Sequence, residues 1–199
     1  MSKKLHFRHS AMNAGKSIQL LQIAHNYEQQ GQRVQVFTDK ADTRFGEGVV
    51  ASRLGPQRPA ILFDRDFDFT TAVRDVACVL VDEAQFLTAK QVRDLHIITK
   101  TRDIPVICFG LRTDFLGNPF EGAAYLLALA ESIEEIKTTC QCGGKATMNI
   151  RVDSHGVRVE EGPQKEIGDA SYRSVCGRCF YLPRALAAHA AAAMAEQPA

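Results

Sequence analysis

A short string near the start of the chain restricts the folds that it can adopt. Residues 10–17 read SAMNAGKS and match the phosphate-binding pattern G-x-x-x-x-G-K-[ST] at every defined position but the first, where Ser10 replaces glycine. The partly apolar segment Leu5–His9 precedes the string, and residues 18–30 follow it with apolar side chains at a helical period. This order predicts a strand, a loop and a helix in a parallel α/β sheet, with phosphate bound at the start of the helix. A chance Gly-Lys-Ser is the alternative, and the flanking pattern makes it the weaker one.

The residue types in this loop fit separate roles towards a nucleotide. Backbone N–H groups turn inward around the β-phosphate, Lys16 adds a charge between the β- and γ-phosphates, and the Ser17 hydroxyl binds Mg²⁺. Serine is small enough to follow the turn after a strand, so we expect Ser10 to distort the loop only modestly. The predicted ATP-binding loop comprises Ser10, Ala11, Met12, Asn13, Ala14, Gly15, Lys16 and Ser17.

Two acidic residues follow a second core segment. The run Cys78–Val81 is continuously apolar and ends in Asp82 and Glu83, which is typical of a strand buried on both faces with polar groups at its carboxyl end. Asp82 is therefore predicted to support Mg²⁺ together with Ser17, and Glu83 to act as general base on a hydroxyl acceptor. In an ATPase Glu83 would orient water instead, and a solvated acid pair is the remaining alternative.

The chain up to residue 139 alternates between strand and helix patterns. The stretch 39–68, which includes the short apolar run Ile61–Phe63, is rich in Gly, Pro, Arg and Asp and is predicted to be irregular. The alternation predicts an α/β fold, a RecA-like P-loop domain with a parallel sheet. Further strands are predicted at 34–38, 105–110 and 135–139, and further helices at 88–100, capped by Thr88, and 121–131.

Four of the six cysteines form two close pairs. Cys140 and Cys142 are a C-x-C pair, Cys176 and Cys179 are a C-x-x-C pair, and Gly143-Gly144 supplies the flexibility that the tighter pair needs. Four thiols fill a tetrahedral site and leave no open position, so they predict a structural Zn²⁺ rather than a catalytic one. Free or disulfide-linked thiols are the alternative, and a reducing cytosol disfavours the disulfides.

The amino-acid composition limits which binding partners and which cellular compartment we expect. The 24 Lys and Arg residues nearly balance 23 Asp and Glu residues, for a formal net charge of +1, so no nucleic-acid partner is predicted. No leader sequence and no run of about 18 to 20 apolar residues is found, so we expect no membrane partner and a cytoplasmic location. Cys78 and Cys108 lie in predicted core strands and are interpreted as small buried hydrophobes.

The 199 residues accommodate one α/β domain and a small appendage. We predict a P-loop domain over residues 1–139 and a zinc-binding domain over 140–183. Residues 184–199 form an alanine-rich tail with few large side chains, which we expect to fray or be disordered because it has little to bury.

Several strings occur together along the chain. They are MNAGKS at 12–17, DTR at 42–44, DEAQFL at 82–87, GLRTDF at 110–115 and Tyr172 followed by SVC at 174–176. A generic ATPase needs neither the four paired cysteines nor a late tyrosine, so the combination is more specific than the phosphate loop alone. Together these strings resemble the type II thymidine kinases, in the bacterial branch of that family, and their order and spacing match from about residue 4 to about residue 180.

The resemblance implies a fold, an activity and a set of site residues. A small zinc domain carries a loop, the lasso, which closes over the nucleoside and here spans residues 162–175. The γ-phosphoryl of ATP passes to the 5′-hydroxyl of thymidine to give dTMP, with Glu83 as the base. A homotetramer inhibited by dTTP is also implied. The resemblance adds Asp82, Glu83, Ala84 and Gln85 to the ATP site, sets Asp42 and Arg44 near the acceptor, and sets Leu111, Phe115, Phe120 and Tyr172 around the base.

Two details qualify the acceptor site. Phe115 and Phe120 flank a Gly-Asn-Pro turn, which favours a lid over substrate above ordinary core packing. Gly168-Asp169 stands where many relatives of the resembled family have paired glycines, so the path of the lasso is the least specified part of the prediction.

Other functions remain open at this point. A kinase of the same fold acting on deoxyuridine or a thymidine analogue fits nearly as well, because a methyl-sized difference is worth only about 1 to 3 kcal/mol. A RecA-like motor would use Glu83 to activate water and the cysteines as a nucleic-acid zinc ribbon, which the balanced charge disfavours. A zinc-stabilised nucleotide sensor would bind ATP without turnover.

Overall fold

The computed structural model describes residues 2–42, 46, 48–52, 55–164 and 171–182. Arg44, the lasso residues 165–170 and the tail 184–199 lie outside the described residues. The strands are β1 Leu5–His9, β2 Val34–Asp39, β3 Val49–Ala51, β4 Gln57–Pro59, β5 Ile61–Phe63, β6 Cys78–Val81, β7 Val106–Gly110, β8 Ser132–Glu135, β9 Thr138–Thr139, β10 Lys145–Ala146, β11 Met148–Val152 and β12 Ser171–Val175. The helices are α1 Lys16–Gln29, α2 Phe69–Ala72, α3 Ala89–Thr101, α4 Glu121–Leu129 and α5 Gly177–Tyr181, and Ala84–Phe86 forms a 3₁₀ turn.

The central sheet is parallel, as predicted. It has six strands in the order β5-β2-β6-β7-β1-β8, and every neighbouring pair is parallel. All residues of β6 and β7 are buried, which explains why both read as continuous apolar runs in the sequence. Because parallel strands end at the same edge, the sheet brings the loops after β1, β6 and β7 to one side.

Helix packing covers the sheet and buries its core. Leu20 and Ala24 of α1 pack in one apolar cluster with Leu80 of β6 and Phe109 of β7. The helices α3 and α4 contact β1 and one another. Thr88 caps α3 as predicted, with its hydroxyl accepting from the Gln91 N–H in a capping box.

Two regions differ from the sequence prediction, and the first of them, residues 39–68, also contains the antiparallel strand pair β3–β4. Ile61–Phe63, expected to be irregular, is the edge strand β5, because it pairs with β2 from Phe37 to Asp39. Residues 135–139, expected to form one strand, belong to two: β8 ends at Glu135 on β1, and β9 pairs with β10. In both segments the pairing partner decides the strand, and local propensity does not reveal that partner.

The two cysteines outside the C-terminal pairs are buried, as predicted. Cys78 and Cys108 are each 0% exposed in β6 and β7. Burial raises the pKa of the Cys78 thiol to about 12 and also raises that of Cys108, so both thiols stay protonated and inert at neutral pH.

The chain divides into two compact units. The first contains β1 with Gly15–Arg112 and Pro119–Ile136, and it holds the six-stranded sheet and helices α1 to α4. The second contains Ser10–Ala14, Thr113–Asn118 and the described residues from Lys137 onward. Within the second unit, the strand pairs β9–β10 and β11–β12 and helix α5 surround a small apolar core. None of the helices in the described ranges is long and apolar enough to cross a bilayer.

Candidate active site

The predicted phosphate loop ends in a helix start that suits an anion. Gly15 precedes α1 with φ of +90°, a left-handed conformation, and a Cβ at this position would lie 3.2 Å from Ile18 Cγ2. Glycine is therefore the residue type that this turn requires. The first N–H groups of α1, beginning at Lys16, have no acceptor within the helix, and together with the helix dipole they favour a bound phosphate.

The serine at the first loop position is accommodated without strain. The described non-glycine residues with positive φ are Asn13, Glu83 and Asp103, so Ser10 does not adopt the conformation that would demand glycine. The Ser10 hydroxyl donates to the Ala11 carbonyl at 2.6 Å. The left-handed non-glycine residue in the loop is Asn13, a type that tolerates this conformation.

Asp82 and Ser17 are paired in the first unit, as expected for residues that share a metal. The Ser17 hydroxyl donates to Asp82 Oδ2 at 3.0 Å, and the Glu83 N–H donates to Asp82 Oδ1 at 3.0 Å. Burial, followed by the Glu83 charge, raises the pKa of Asp82 to about 7, against the opposing effect of Lys16. A divalent cation at this carboxylate would favour its ionised form. These oxygens fit Mg²⁺, which prefers hard oxygen ligands.

Glu83 is held in an unusual backbone conformation. Its φ of +50° and ψ of +35° are left-handed, which costs a non-glycine residue about 1 kcal/mol or more, and such strain collects at functional sites. The carboxylate is oriented by Gln85, whose Nε2 donates to Glu83 Oε2 at 2.6 Å. Only 9% of Glu83 is exposed. A buried carboxylate held in one orientation is suited to accept a proton from a positioned hydroxyl.

Gln85 is itself fixed by the end of β7. The Leu111 N–H donates to Gln85 Oε1 at 3.1 Å. Gly110 makes this approach possible, because a Cβ there would lie 2.8 Å from Gln85 Oε1. Gln85 is one of the residues predicted for the ATP site, and no role was predicted for Gly110. A glycine as the last residue of a core strand was the available signal.

Gly122 of α4 lies against the turn that carries Gln85. A Cβ at Gly122 would lie 2.5 Å from the Ala84 carbonyl oxygen and 2.7 Å from that of Leu87. Both contacts are to backbone atoms, which cannot move aside as a flexible side chain can. Sequence reasoning also missed this residue, although a glycine inside a helix pattern suggests a close packing contact.

Replacing Gly122 with alanine is expected to destabilise the protein and to reduce turnover. Alanine normally stabilises a helix interior by about 1 kcal/mol relative to glycine, but overpacking costs about 1 to 3 kcal/mol. We expect lower stability in urea unfolding and a lower kcat, because the displaced turn follows Glu83 directly. Gly177→Ala is the matched control, since nothing lies within 4 Å of a Cβ there. A Gly122→Ala variant with raised stability and unchanged kcat would contradict the packing argument.

The predicted nucleoside residues of the first unit occupy buried or partly buried positions. Phe120 packs edge-on against Phe86 with ring centroids 5.5 Å apart and is 4% exposed. Leu111 is 9% exposed beside Gln85. Asp42 follows β2, with its N–H bonded to the Asp39 carbonyl at 2.9 Å.

The second unit contains Phe115 and Tyr172. Phe115 is 2% exposed, and the guanidinium carbon of Arg151 lies 3.9 Å from its ring centroid, a cation–π contact. Arg151 is paired directly across from Tyr172 in the β11–β12 ladder and also donates to the Glu161 carbonyl at 2.8 Å. Arg151 had no role in the sequence analysis. Phe115 and Phe120 are both buried, and their part in binding a base stays a prediction.

The four paired cysteines converge in the second unit. The Sγ atoms of Cys140, Cys142, Cys176 and Cys179 all lie within 4.8 Å of one another, and all four thiols are free. The Cys142–Cys176 separation of 3.6 Å is far from a disulfide and near the distance of about 3.8 Å that tetrahedral Zn–S bonds impose. Gly143, directly after the Cys140–Cys142 pair, adopts a φ of +83°, so the predicted glycine flexibility is used there.

One of the four thiols, that of Cys176, is favoured as the thiolate, whereas burial raises the pKa of the Cys179 thiol to about 12. The Cys179 N–H, which donates to Cys176 Sγ at 3.4 Å, lowers the pKa of the Cys176 thiol to about 7. The thiolate is the form that binds a metal. The donor set therefore fits Zn²⁺.

The fold and this geometry define a class of protein. A parallel α/β sheet with a phosphate loop after one strand and a hydrogen-bonded acid pair after another is the arrangement of P-loop kinases. The family model described as thymidine kinase matches residues 3–180. The chain therefore belongs to the thymidine kinase family.

Curated relatives agree with the family match. The chain is 59% identical over 180 residues to the thymidine kinase of Chromobacterium violaceum, covering 89% of this chain and 98% of that protein. It is 51% identical over 185 residues to the thymidine kinase of Albidiferax ferrireducens, covering 92% and 94%. With the thymidine kinase of Idiomarina loihiensis the identity is 49% over 179 residues, covering 86% and 93%.

Proposed function

We propose that this chain transfers the γ-phosphoryl group of ATP to the 5′-hydroxyl of thymidine, giving dTMP and ADP. One observation carries the proposal: the two consecutive acidic residues after β6 are hydrogen-bonded to different parts of the site. Asp82 is hydrogen-bonded to Ser17 of the phosphate loop, and Glu83 is oriented by Gln85. An acid pair divided in this way suits one carboxylate that supports a metal and one that accepts a proton.

The donor half of the site consists of the phosphate loop and Asp82. Lys16 and the first N–H groups of α1 would hold the β- and γ-phosphates, and Ser17 and Asp82 would hold Mg²⁺. When bound, Mg²⁺ supplies positive charge that offsets the charge developing on the transferred phosphoryl group. Ala84, next to Glu83, completes the predicted ATP-binding set with Gln85.

The acceptor half is centred on Glu83. As the 5′-oxygen forms its bond to the γ-phosphorus, the bond from that phosphorus to the bridging oxygen of ADP breaks. The hydroxyl proton moves to the Glu83 carboxylate. Gln85 keeps that carboxylate in one orientation through its 2.6 Å hydrogen bond, which limits the reorganisation that transfer requires. Leu111, Phe115, Phe120 and Tyr172 are the proposed contacts of the base, with Asp42 and Arg44 near the acceptor, on the strength of the family strings.

We also propose that the four-cysteine cluster binds a structural Zn²⁺ and that the chain works in the cytoplasm. The thiol separations support the metal, and a cluster at metal rather than disulfide spacing fits a reducing compartment. The division into a P-loop part, residues 1–139, and a zinc-binding part, residues 140–183, remains our proposal. A homotetramer and inhibition by dTTP are supported by family resemblance alone.

The decisive experiment offers the protein MgATP with a panel of nucleosides and separates the products by chromatography. We expect dTMP and ADP in equal amounts from thymidine. Deoxyuridine should react with a kcat/KM lower by about 10- to 200-fold, because it lacks only the methyl group. ATP loss without any nucleoside monophosphate would contradict the proposal and favour an ATPase. If another nucleoside reacted faster than thymidine, the kinase chemistry would stand, and that nucleoside would take the place of thymidine as the proposed substrate.

A further inference from the structure

The first part of the phosphate loop is held by two side chains of the β11–β12 strand pair. Asn149 Oδ1 accepts from the Met12 N–H at 2.7 Å, and the Ser174 hydroxyl donates to the Met12 carbonyl at 2.5 Å. Asn149 and Ser174 lie directly opposite one another in the antiparallel ladder. We call Asn149 and Ser174 the loop grip. Both residues and Met12 belong to the second unit.

The loop grip lies next to the buried apolar core of the second unit. Asn149 is 3% exposed, and its neighbour Ile150 belongs to the small apolar core of the second unit. Ala11, adjacent to Met12, is 2% exposed and packs into that same core. Segment 10–14 is therefore anchored by a buried methyl group and by hydrogen bonds at both polar groups of one residue.

The grip determines which loop amides can reach a phosphate. The Met12 N–H is directed to Asn149, so it is not available to a nucleotide, and phosphate contacts fall to the later loop residues. Asn13, next along the chain, holds φ of +58°, a left-handed conformation that asparagine tolerates. Fixing the peptide groups on either side of Met12 sets the direction in which the following amides point.

The same face of the strand pair carries other predicted site residues. In a strand, alternate residues share a face, so Arg151 lies beside Asn149 and Tyr172 beside Ser174. Arg151 contacts the Phe115 ring and the carbonyl groups of Glu161 and Pro163. The face that holds the phosphate loop thus continues into the residues proposed to meet the nucleoside.

We propose that Asn149 and Ser174 are positioning residues for ATP, which hold the phosphate loop in its binding conformation through Met12. This inference rests on the proposed function, in which that loop binds the donor nucleotide. Neither side chain is required to touch the nucleotide or thymidine. If one of the hydrogen bonds to Met12 is removed, the loop must become ordered when the nucleotide binds. The free energy that this ordering costs then weakens the affinity for the nucleotide.

The test compares Ser174→Ala, Ser174→Thr and Asn149→Ala with the unaltered protein. The two alanine variants should raise KM for ATP and the Kd of the non-hydrolysable analogue AMP-PNP by about 3- to 10-fold, the worth of one hydrogen bond. KM for thymidine should stay unchanged. Ser174→Thr keeps the hydroxyl and should bind AMP-PNP like the unaltered protein. Ser154→Ala removes an exposed hydroxyl from the turn after β11 and serves as the control.

Each outcome decides the inference. Alanine variants that bind AMP-PNP normally, or that raise both KM values equally, would overturn it, and so would a Ser174→Thr variant as weak as Ser174→Ala. If Asn149→Ala lowers the melting temperature, the two Ser174 variants carry the test, because Ser174→Ala removes only the hydroxyl and Ser174→Thr keeps it while adding a methyl group. If the unaltered protein bound AMP-PNP but left thymidine unreacted, the proposed function would fail, and the binding comparison would still test the grip.

Discussion

Glu83→Gln is expected to abolish most phosphoryl transfer while leaving nucleotide binding intact. The amide oxygen of glutamine can still accept the Gln85 hydrogen bond, so the local structure should persist. The variant loses the basic carboxylate, and removal of a positioned base typically lowers kcat by about 100- to 10,000-fold. Steady-state kinetics with thymidine, together with AMP-PNP binding, measure the two effects separately.

The control for this variant is Glu160→Gln, which removes a charge from an exposed position in the turn region after β11. It should leave kcat unchanged. A Glu83→Gln protein with normal turnover would remove Glu83 from its role as base. A variant that loses AMP-PNP binding along with turnover would show that the residue supports the fold of the site rather than proton transfer.

Cys176→Ser is expected to remove the bound metal and to unfold the second unit. A structural Zn²⁺ in small zinc-binding units contributes about 10 kcal/mol or more to folding, comparable to the whole stability of a typical domain. Among the described residues, the apolar core of the second unit is a small cluster that includes Cys140 and Cys179, so this part of the chain has little else to replace that contribution. We expect zinc content to fall from one atom per chain and limited proteolysis to cut within residues 137–182.

Cys78→Ala provides the matched control, because Cys78 is a buried cysteine outside the cluster. It should lower stability through a small cavity yet keep one zinc per chain. Active, protease-resistant Cys176→Ser protein, or unaltered active protein without zinc, would be incompatible with a structural metal. Since Ser174 lies two residues before Cys176, loss of metal should also weaken AMP-PNP binding.

Local patterns predicted the parts of the fold that depend on neighbouring residues. The strands Leu5–His9 and Cys78–Val81 have the expected bounds, and the Thr88 cap is where the pattern put it. Each of these signals is complete within a few residues: a buried run, a helical period or a capping side chain. The phosphate loop and the acid pair were found for the same reason.

The errors fall where distant pairing decides the structure. β5 is only three residues long, and its strand conformation depends on β2 at the sheet edge. The region predicted as one strand at 135–139 is divided because Glu135 pairs with β1 while Thr138 and Thr139 pair with β10. Propensity over so few residues is weak, and the ladder partner outweighs it.

By itself, the sequence determined the chemistry that this protein can perform: a phosphate loop, an acid pair after a buried strand and four cysteines in two pairs. Tertiary structure alone decided how those groups are oriented. The Leu111 N–H bonded to Gln85, and Asn149 and Ser174 bonded to Met12, are contacts between residues far apart in the sequence whose pairing no local pattern encodes. The physical reason is that residue type sets charge, donors and acceptors locally, whereas the direction of each group depends on packing across the fold.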